Sequence, residues 1–351
     1  MNVTNGSQTT KIQSTSGAIY DAIYGVEGIL QIVGNALILL IIGKNARLHK
    51  KEYYLPAALA SADLITGFGN FAASTTRLTV FFGNIQTMVT AWRCILSPHN
   101  HFFLIGGYAV PTISVLIALD RLVACSSISL YTKISSKITG LSIGTGYAIC
   151  LGLYALALAT AYRQSGVAQY SYICYTEWSL PYWHNILYYL YQLVGAVASI
   201  LIYLAAMFCL RYKKQGHMSE IMQANRARQA TVTRMLLIVI LLSFFLYVIP
   251  LFCLVLLMSG GNQSSWFAKI LPPAWIFANL NSANNIVVYF VKNKDIRRGA
   301  ASVIPFLRSK ARIEPFTQIN THMRLQPIWI PRLPVTQHQS TKLTKPISPL
   351  Q

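Results

Sequence analysis

Asp63 sits in the apolar run LASADLITG. A carboxylate at the centre of a lipid bilayer costs about 2.5 to 3.5 kcal/mol on insertion scales, so this side chain is expected to face the interior of a helix bundle and to hold a proton or a cation such as sodium. Groups able to share that task recur along the chain. Asn35 lies in GNALIL, and Asn281, Asn285 and Tyr289 follow one another at four-residue spacing, which places them on one face of a helix. Ser282 and Asn284 widen the stripe. The plainer reading is that these amides join helices through hydrogen bonds of about 0.6 to 2 kcal/mol each. The functional reading is a hydrated polar core that rearranges between two states. Asp120-Arg121-Leu122 forms a second group, an ion pair ending a long uncharged run where a helix would meet the cytoplasm. This inventory does not make an enzyme. With 9 acidic residues, 7 His and 6 Cys, and no Cys-x-x-Cys pair, no nucleophile, base or metal set assembles. His99 and His101 bracket Asn100 without a third ligand nearby, so neither a metal nor another cofactor is expected.

Such residues need spanning helices to position them. Of 351 residues, 54% are hydrophobic and 11% charged, which excludes a water-soluble domain with a charged shell. Seven segments are long and apolar enough to cross a bilayer: Ala18 to Gly43, Tyr54 to Thr79, Asn100 to Val123, Ile138 to Tyr162, His184 to Leu210, Val232 to Met258, and Ile270 to Val291. The expected fold class is therefore all-α, a seven-transmembrane helical bundle. No Asp, Glu, Lys or Arg interrupts Ile95 to Leu119, Ile138 to Tyr162, Trp178 to Leu210, or Met235 to Ala268. The first, second and seventh spans are weaker by hydropathy, because they carry Glu27, Asp63 and the asparagine stripe.

The net charge of +20 acts mainly as a topology signal and not as a nucleic-acid surface. With the amino terminus outside, outward segments hold Lys11, Arg77, Arg93, Arg163 and Lys269, and the other 24 of 29 basic residues face inside. The Asn-x-Ser/Thr sequons at Asn2, Asn5 and Asn262 then all fall outside, as glycosylation requires. Cys94 and Cys174 are the two cysteines left on the outer face, where they either pair or remain separate thiols. The first 17 residues contain no apolar core followed by a cleavage site, so the first span is expected to direct membrane insertion. Residues 1–17 read as an outer tail, 18–298 as the seven-span domain, and 299–351, rich in proline and basic residues, as a disordered inner tail.

In order and position these motifs resemble those of the rhodopsin-like G-protein-coupled receptors, across nearly all of residues 18–298. GNALIL resembles the family's Gly-Asn-x-Leu pattern, LASAD its Leu-Ala-x-Ala-Asp, and DRLVACSSISLY its Asp-Arg-Tyr motif with the trailing loop Tyr. Phe244 precedes Pro250 by six residues in span six, NIVVY stands in the place of Asn-Pro-x-x-Tyr, and Asp295-Ile-Arg-Arg is similar to the start of the short amphipathic helix after span seven. Departures are Leu122 for Tyr, no Trp in span four, Gly195 in the region of the span-five Pro, Val248 for Trp and Ile286 for Pro. This pattern of losses is similar to divergent branches such as the nematode serpentine chemoreceptors. The resemblance implies a heterotrimeric G protein as partner, with Asp120, Arg121, Tyr203, Asn285, Tyr289, Phe244 and Pro250 as switch residues. Arg121 would leave Asp120 when span six swings outward and meet the G protein beside Tyr203 and Tyr289. Ala230 to Arg234, at the inner start of span six, offers no acid to hold Arg121, so appreciable ligand-free signalling is expected.

An opsin carries a lysine in mid-span seven, whereas here Lys269 and Lys292 lie at its ends and Asn279 in its outer half, so retinal is not expected. No acid occurs from Cys94 to Leu119 to bind an amine in span three, although Glu27 or Glu177 could serve in an unusual pocket. Aromatic residues crowd the outer half of span five. Phe103, Tyr188, Tyr191, Trp275 and Asn279 are candidate pocket residues for an extracellular small molecule or short peptide; an interfacial belt is the competing reading. Arrestin and a kinase are candidate partners of the tail, at sites such as Ser309, Thr317 and Ser340. The implied location is the plasma membrane, as a multi-pass protein. A small-solute transporter or channel with its site around Asp63 is the alternative, against which stands the lack of an internal repeat.

Overall fold

The computed structural model describes residues 15–165, 168–212, 241–259, 265–292 and 294–303. Its long helices are α1 (Thr15–Lys44), α2 (Lys51–Phe82), α3 (Pro98–Ser126), α4 (Ser136–Tyr162), α5 (Tyr182–Tyr212), α6 (Ile249–Ser259, entered through a π-helical turn, Phe244–Val248), α7 (Ser265–Lys292) and α8 (Lys294–Val303). By length and composition α1, α3, α4 and α5 are apolar enough to cross a membrane. Polar residues aligned on one face lower the hydropathy of α2 and α7.

Local sequence sets the helix starts. Pro98 opens α3 directly after Ser97, where a missing N–H removes no intrahelical bond. Ser135 accepts from the Ile138 amide to cap α4, and Ser127 does the same from Leu130 for the short inner helix Ile128–Lys133.

Small residues let the helices close. A Cβ on Gly28 of α1 would lie 2.6 Å from the Phe71 amide nitrogen of α2, and one on Gly67 would lie 3.1 Å from that of Ile32. The two backbones therefore touch, as glycines allow between membrane helices. α3 runs through the middle and packs against α2, α4 and α5. Gly195 of α5 faces Pro111 of α3 with room for nothing larger, a Cβ there falling 2.7 Å from Pro111 Cβ. Leu141, Val194, Leu201 and Phe245 are exposed on the bundle exterior, the surface a bilayer would cover.

One end carries Lys44, Lys51, Lys133, Lys137, Arg297 and Arg298 and is taken as the inner end. Here α8 tucks under α1, with Ile296 and Ala300 buried against Ile38, Ile41 and Tyr53, and Tyr53 Oη donates to Asp295 Oδ2 at 2.9 Å. α8 runs to Val303, past the boundary expected at residue 298. The outer end adds an element the all-helical reading did not contain, a two-stranded antiparallel ribbon of β1 (Met88–Thr90) and β2 (Ala168–Ser171) that pairs Met88 with Ser171 and Val89 with Tyr170. Asn2, Asn5, Asn262, Ala230 to Arg234 and the tail sites Ser309, Thr317 and Ser340 lie outside the described residues, as do the side chains of Glu177, Asn285 and Tyr289.

Candidate functional site

The outer half of the bundle encloses a cavity of about 330 Å³, walled by α1, α2, α3, α5, α7, the π-helical turn, and Tyr175 and Thr176 at the start of the short helix Thr176–Ser179. That volume is at the lower end of small-molecule sites. Its roof is held by the Cys94–Cys174 disulfide, whose Cα atoms are 5.0 Å apart. Around it His99 Nε2 bonds the Cys174 carbonyl at 2.9 Å, Asn100 Nδ2 donates to the Cys94 and Cys174 carbonyls at 2.8 and 3.2 Å, and Thr176 Oγ1 donates to Asn100 Oδ1 at 2.7 Å. His99 and His101 thus face different partners, since His101 Nδ1 accepts from Tyr154 Oη at 2.7 Å. Among the described residues no group of three or more His, Cys, Asp or Glu is placed to hold a metal ion.

Near the mouth, Arg77 of α2 meets Asp21 of α1, Nη1 to Oδ1 at 3.4 Å, and its guanidinium lies over the Tyr175 ring at 4.3 Å. Tyr24 Oη donates to the Pro272 carbonyl at 2.8 Å, tying α1 to α7. Deeper, four side chains from three helices form one network. Gln31 Nε2 donates to the Asn279 carbonyl at 2.9 Å, Asn70 Nδ2 donates to Gln31 Oε1 at 3.0 Å, and Asn279 Nδ2 donates to Glu27 Oε2 at 3.2 Å and to Asn70 Oδ1 at 3.3 Å. Asp63, Asn281 and Ser282 line the floor. There Ser243 Oγ donates to Asn281 Oδ1 at 2.7 Å, and Tyr247 Oη donates to Gln192 Oε1 at 2.8 Å.

The structure brings most of the expected pocket together. Phe103, Tyr188, Trp275 and Asn279 line the cavity together with Asp63 and Asn281. Gly107 makes this arrangement fit: a Cβ on it would lie 2.0 Å from Tyr188 Oη, which reaches the Phe103 carbonyl at 2.9 Å. Tyr191 is elsewhere. Its hydroxyl is 2.6 Å from Thr112 Oγ1 of α3 and its ring packs edge-on to Tyr108, so it braces α3 against α5 and does not line the cavity. Asn35 also stays out of the wall; its amide donates to the Gln31 carbonyl one turn back at 2.9 Å. Phe244 is exposed at the start of the π-helical turn, whereas Tyr247 of the same turn is a wall residue. A π turn inserts a residue into the helical repeat and re-aims the side chains beyond it, which spacing from Pro250 alone does not reveal.

Asp21, Tyr24, Gln31, Asn70 and Arg77 are site residues that the sequence reading did not single out as such. The signal was present. Asp21, Tyr24, Gly28, Gln31 and Asn35 follow the alternating three- and four-residue spacing of one helix face, and Asp63, Asn70 and Arg77 repeat every seven residues.

At the inner end Arg121 is buried and forms an ion pair with Asp120, Nε to Oδ2 at 3.0 Å, while its Nη2 donates to Tyr131 Oη at 3.2 Å. Tyr131 comes from the short helix Ile128–Lys133, and burial pushes its hydroxyl up to about 12, so it stays protonated and neutral at physiological pH. Lys51 of α2 clasps this helix: its Nζ lies 3.8 Å above the Tyr131 ring and donates to the Tyr131 carbonyl and, at 3.1 Å, to that of Ile134. Tyr203 is buried nearby among Leu55, Leu59 and Ile117. The whole forms a closed polar latch at the foot of α3.

Residues 28–304 match the family model of the serpentine type 7TM GPCR chemoreceptor Srsx. Among curated proteins, sphingosine 1-phosphate receptor 2 of Mus musculus is 24% identical over 291 residues, covering 82% of this chain and 76% of the relative. Its counterpart from Homo sapiens is 25% identical over 273 residues, covering 76% and 71% respectively. A cavity at the outer end, a latched Asp-Arg pair at the inner end and a family match over residues 28–304 agree with one another, and this chain belongs to the Srsx serpentine chemoreceptors, a family of seven-transmembrane G-protein-coupled receptors.

Proposed function

We propose that this ligand-sensing receptor acts at the plasma membrane, taking a small extracellular molecule into the outer cavity and answering with nucleotide exchange on a heterotrimeric G protein. The observation that carries this reading is the continuity of the cavity wall, from Arg77 at the mouth to Asp63, Asn281 and Tyr247 at the floor. A ligand held there touches α7 and the π-helical turn leading into α6, the elements whose shift would be felt at the far end of the bundle. A volume of about 330 Å³ favours a small molecule over a peptide. Asp63, beside Asn281 and Ser282, serves as the site of a proton or sodium ion that tunes this coupling. At the inner end, outward movement of span six releases Arg121 from Asp120 and Tyr131 to receive the G protein. The tail then offers serine and threonine sites to a kinase and arrestin. The protein carries out no chemical conversion of its ligand in this account.

The test is ligand-free nucleotide exchange on a panel of heterotrimeric G proteins, in membranes carrying equal surface amounts of wild type and Arg121→Ala. Exchange by the wild type that disappears in the variant is the expected result. Equal exchange by both would overturn the assigned role of Arg121, and solute uptake abolished by Asp63→Asn would replace the receptor reading with a transporter.

A further inference from the structure

Five buried polar side-chain atoms lack a hydrogen-bond partner among the described residues, and three of them, Arg77 Nε, Gln192 Nε2 and Ser282 Oγ, belong to residues of the outer cavity wall. All three carry hydrogen to donate. The acids are differently placed: of those lining the cavity, Asp21 faces Arg77 and Asp63 has an interaction of its own, and Glu27, behind the wall, accepts from Asn279. Donors are in surplus, and a ligand that satisfies them must bring acceptors.

Arg77 sets the kind of acceptor. Only 7% of its side chain is exposed, yet its contact to Asp21 is 3.4 Å, beyond the usual 2.7 to 3.2 Å of an N–H···O bond. A guanidinium withdrawn from water and left with one long contact and a free Nε–H is under-satisfied. Stacking on Tyr175 at 4.3 Å restrains the plane of the guanidinium without using its in-plane N–H groups. The Nε–H edge of an arginine fork matches the two oxygens of a carboxylate or phosphate. Trp275 and Tyr188 in the same wall supply an aromatic lining for an apolar body.

We infer that the outer cavity binds organic anions, small carboxylates or phosphate monoesters on an apolar body, with the anionic group on the guanidinium of Arg77 and further acceptor atoms reaching Gln192 Nε2 and Ser282 Oγ, which are closed to water in this structure, as the wall parts to admit the ligand. Asp21 stays on Nη1, where it positions the arginine and moderates its charge. This inference rests on the reading of that cavity as the receptor's ligand site.

The experiment uses the full chain in lipid nanodiscs and reads thermal stability, which requires no G protein. Four probes share a phenyl body: 3-phenylpropanoate and 2-phenylethyl phosphate as anions, 3-phenylpropylamine as cation and 3-phenylpropanol as neutral control, each at millimolar concentration. One or both anions raise Tm and the other two probes do not; the two anion arms tell carboxylate from phosphate recognition. Arg77→Gln weakens the anion response at least tenfold, and Asp21→Asn, which removes the neighbouring negative charge but keeps the guanidinium, strengthens it severalfold. Should Arg77→Gln not fold, Asp21→Asn decides. An unchanged or weaker response in Asp21→Asn, an anion effect that survives Arg77→Gln, equal stabilisation by the amine or alcohol, or no stabilisation by either anion overturns the inference. A chain that fails here yet drives Arg121-dependent exchange loses the anion assignment alone. One that binds anions but drives no exchange keeps the site and loses the receptor reading.

Discussion

The two ends of the bundle each bury an arginine and treat it in opposite ways. Arg77, at the outer end, has one long contact to Asp21 and an Nε–H without a partner. Arg121, at the inner end, is held by Asp120 and Tyr131, and the helix that carries Tyr131 is itself clasped by Lys51. An arginine short of acceptors is an invitation to a ligand, whereas one with its acceptors in place is a latch that must be opened. A receptor needs both, separated along one set of helices. Between them lies apolar packing, with Ile113, Ile117, Leu55 and Leu59 buried across α2 and α3.

The comparison can be broken most severely from the outer side. Cys174→Ser removes the disulfide that fixes the cavity roof and disturbs the carbonyl to which His99 and Asn100 are bonded. A loss of about 2 to 5 kcal/mol is expected, from the usual worth of a native disulfide. It appears as a large drop in thermal stability with loss of surface receptor, and a variant of unchanged stability would show that the roof does not hold this end. A smaller change acts on the inner side. Lys51→Ala frees the clasp on the Tyr131 helix, and with about 1 to 2 kcal/mol lost from a partly buried cation–π contact, ligand-free nucleotide exchange should rise several-fold while thermal stability falls by less than in Cys174→Ser. Unchanged exchange would mean that the clasp does not support the latch. The smallest effect belongs to Ala230→Glu, which supplies an acid near the foot of span six. An exposed ion pair is worth about 0.2 to 1 kcal/mol, so ligand-free exchange should fall by no more than severalfold, and a rise would argue against a latch that acids can strengthen.

Much of this arrangement was legible in the sequence. Charge-free runs placed α4 and α5 well, because a lipid-facing helix must be apolar for its full span. The expected second and third spans fall inside α2 and α3, which continue for a few residues at both ends; hydropathy sees only the apolar centre of a helix. Cys94 and Cys174 were identified as the outer-face cysteines and pair in the structure. Arg77 was harder to interpret. Counted by hydropathy it is an outward charge near the end of a span, and only the glycine-mediated contact of α1 with α2 brings it to Asp21, 56 residues away. Tyr191 and Phe244 show the converse. Tyr191 is expected in the pocket from its place on an aromatic-rich helix but braces α3, and Phe244, expected among the switch residues from its spacing to Pro250, is turned outward at the π turn. The ribbon of β1 and β2 has strands of three and four residues, too short to carry a two-residue periodicity.

In the proposed function the inner latch, made by Arg121 with Asp120 and Tyr131, restrains ligand-free signalling without abolishing it. Its most direct test is ligand-free nucleotide exchange by wild type, Tyr131→Phe and Arg121→Ala at equal surface amounts. Removing only the Tyr131 hydroxyl deletes one hydrogen bond to a charged group and little packing, an effect of about 1 kcal/mol or more, or about a fivefold shift toward the open state. The account predicts exchange in the order Tyr131→Phe above wild type above Arg121→Ala. Equal exchange by wild type and Tyr131→Phe, or undiminished exchange by Arg121→Ala, would contradict it.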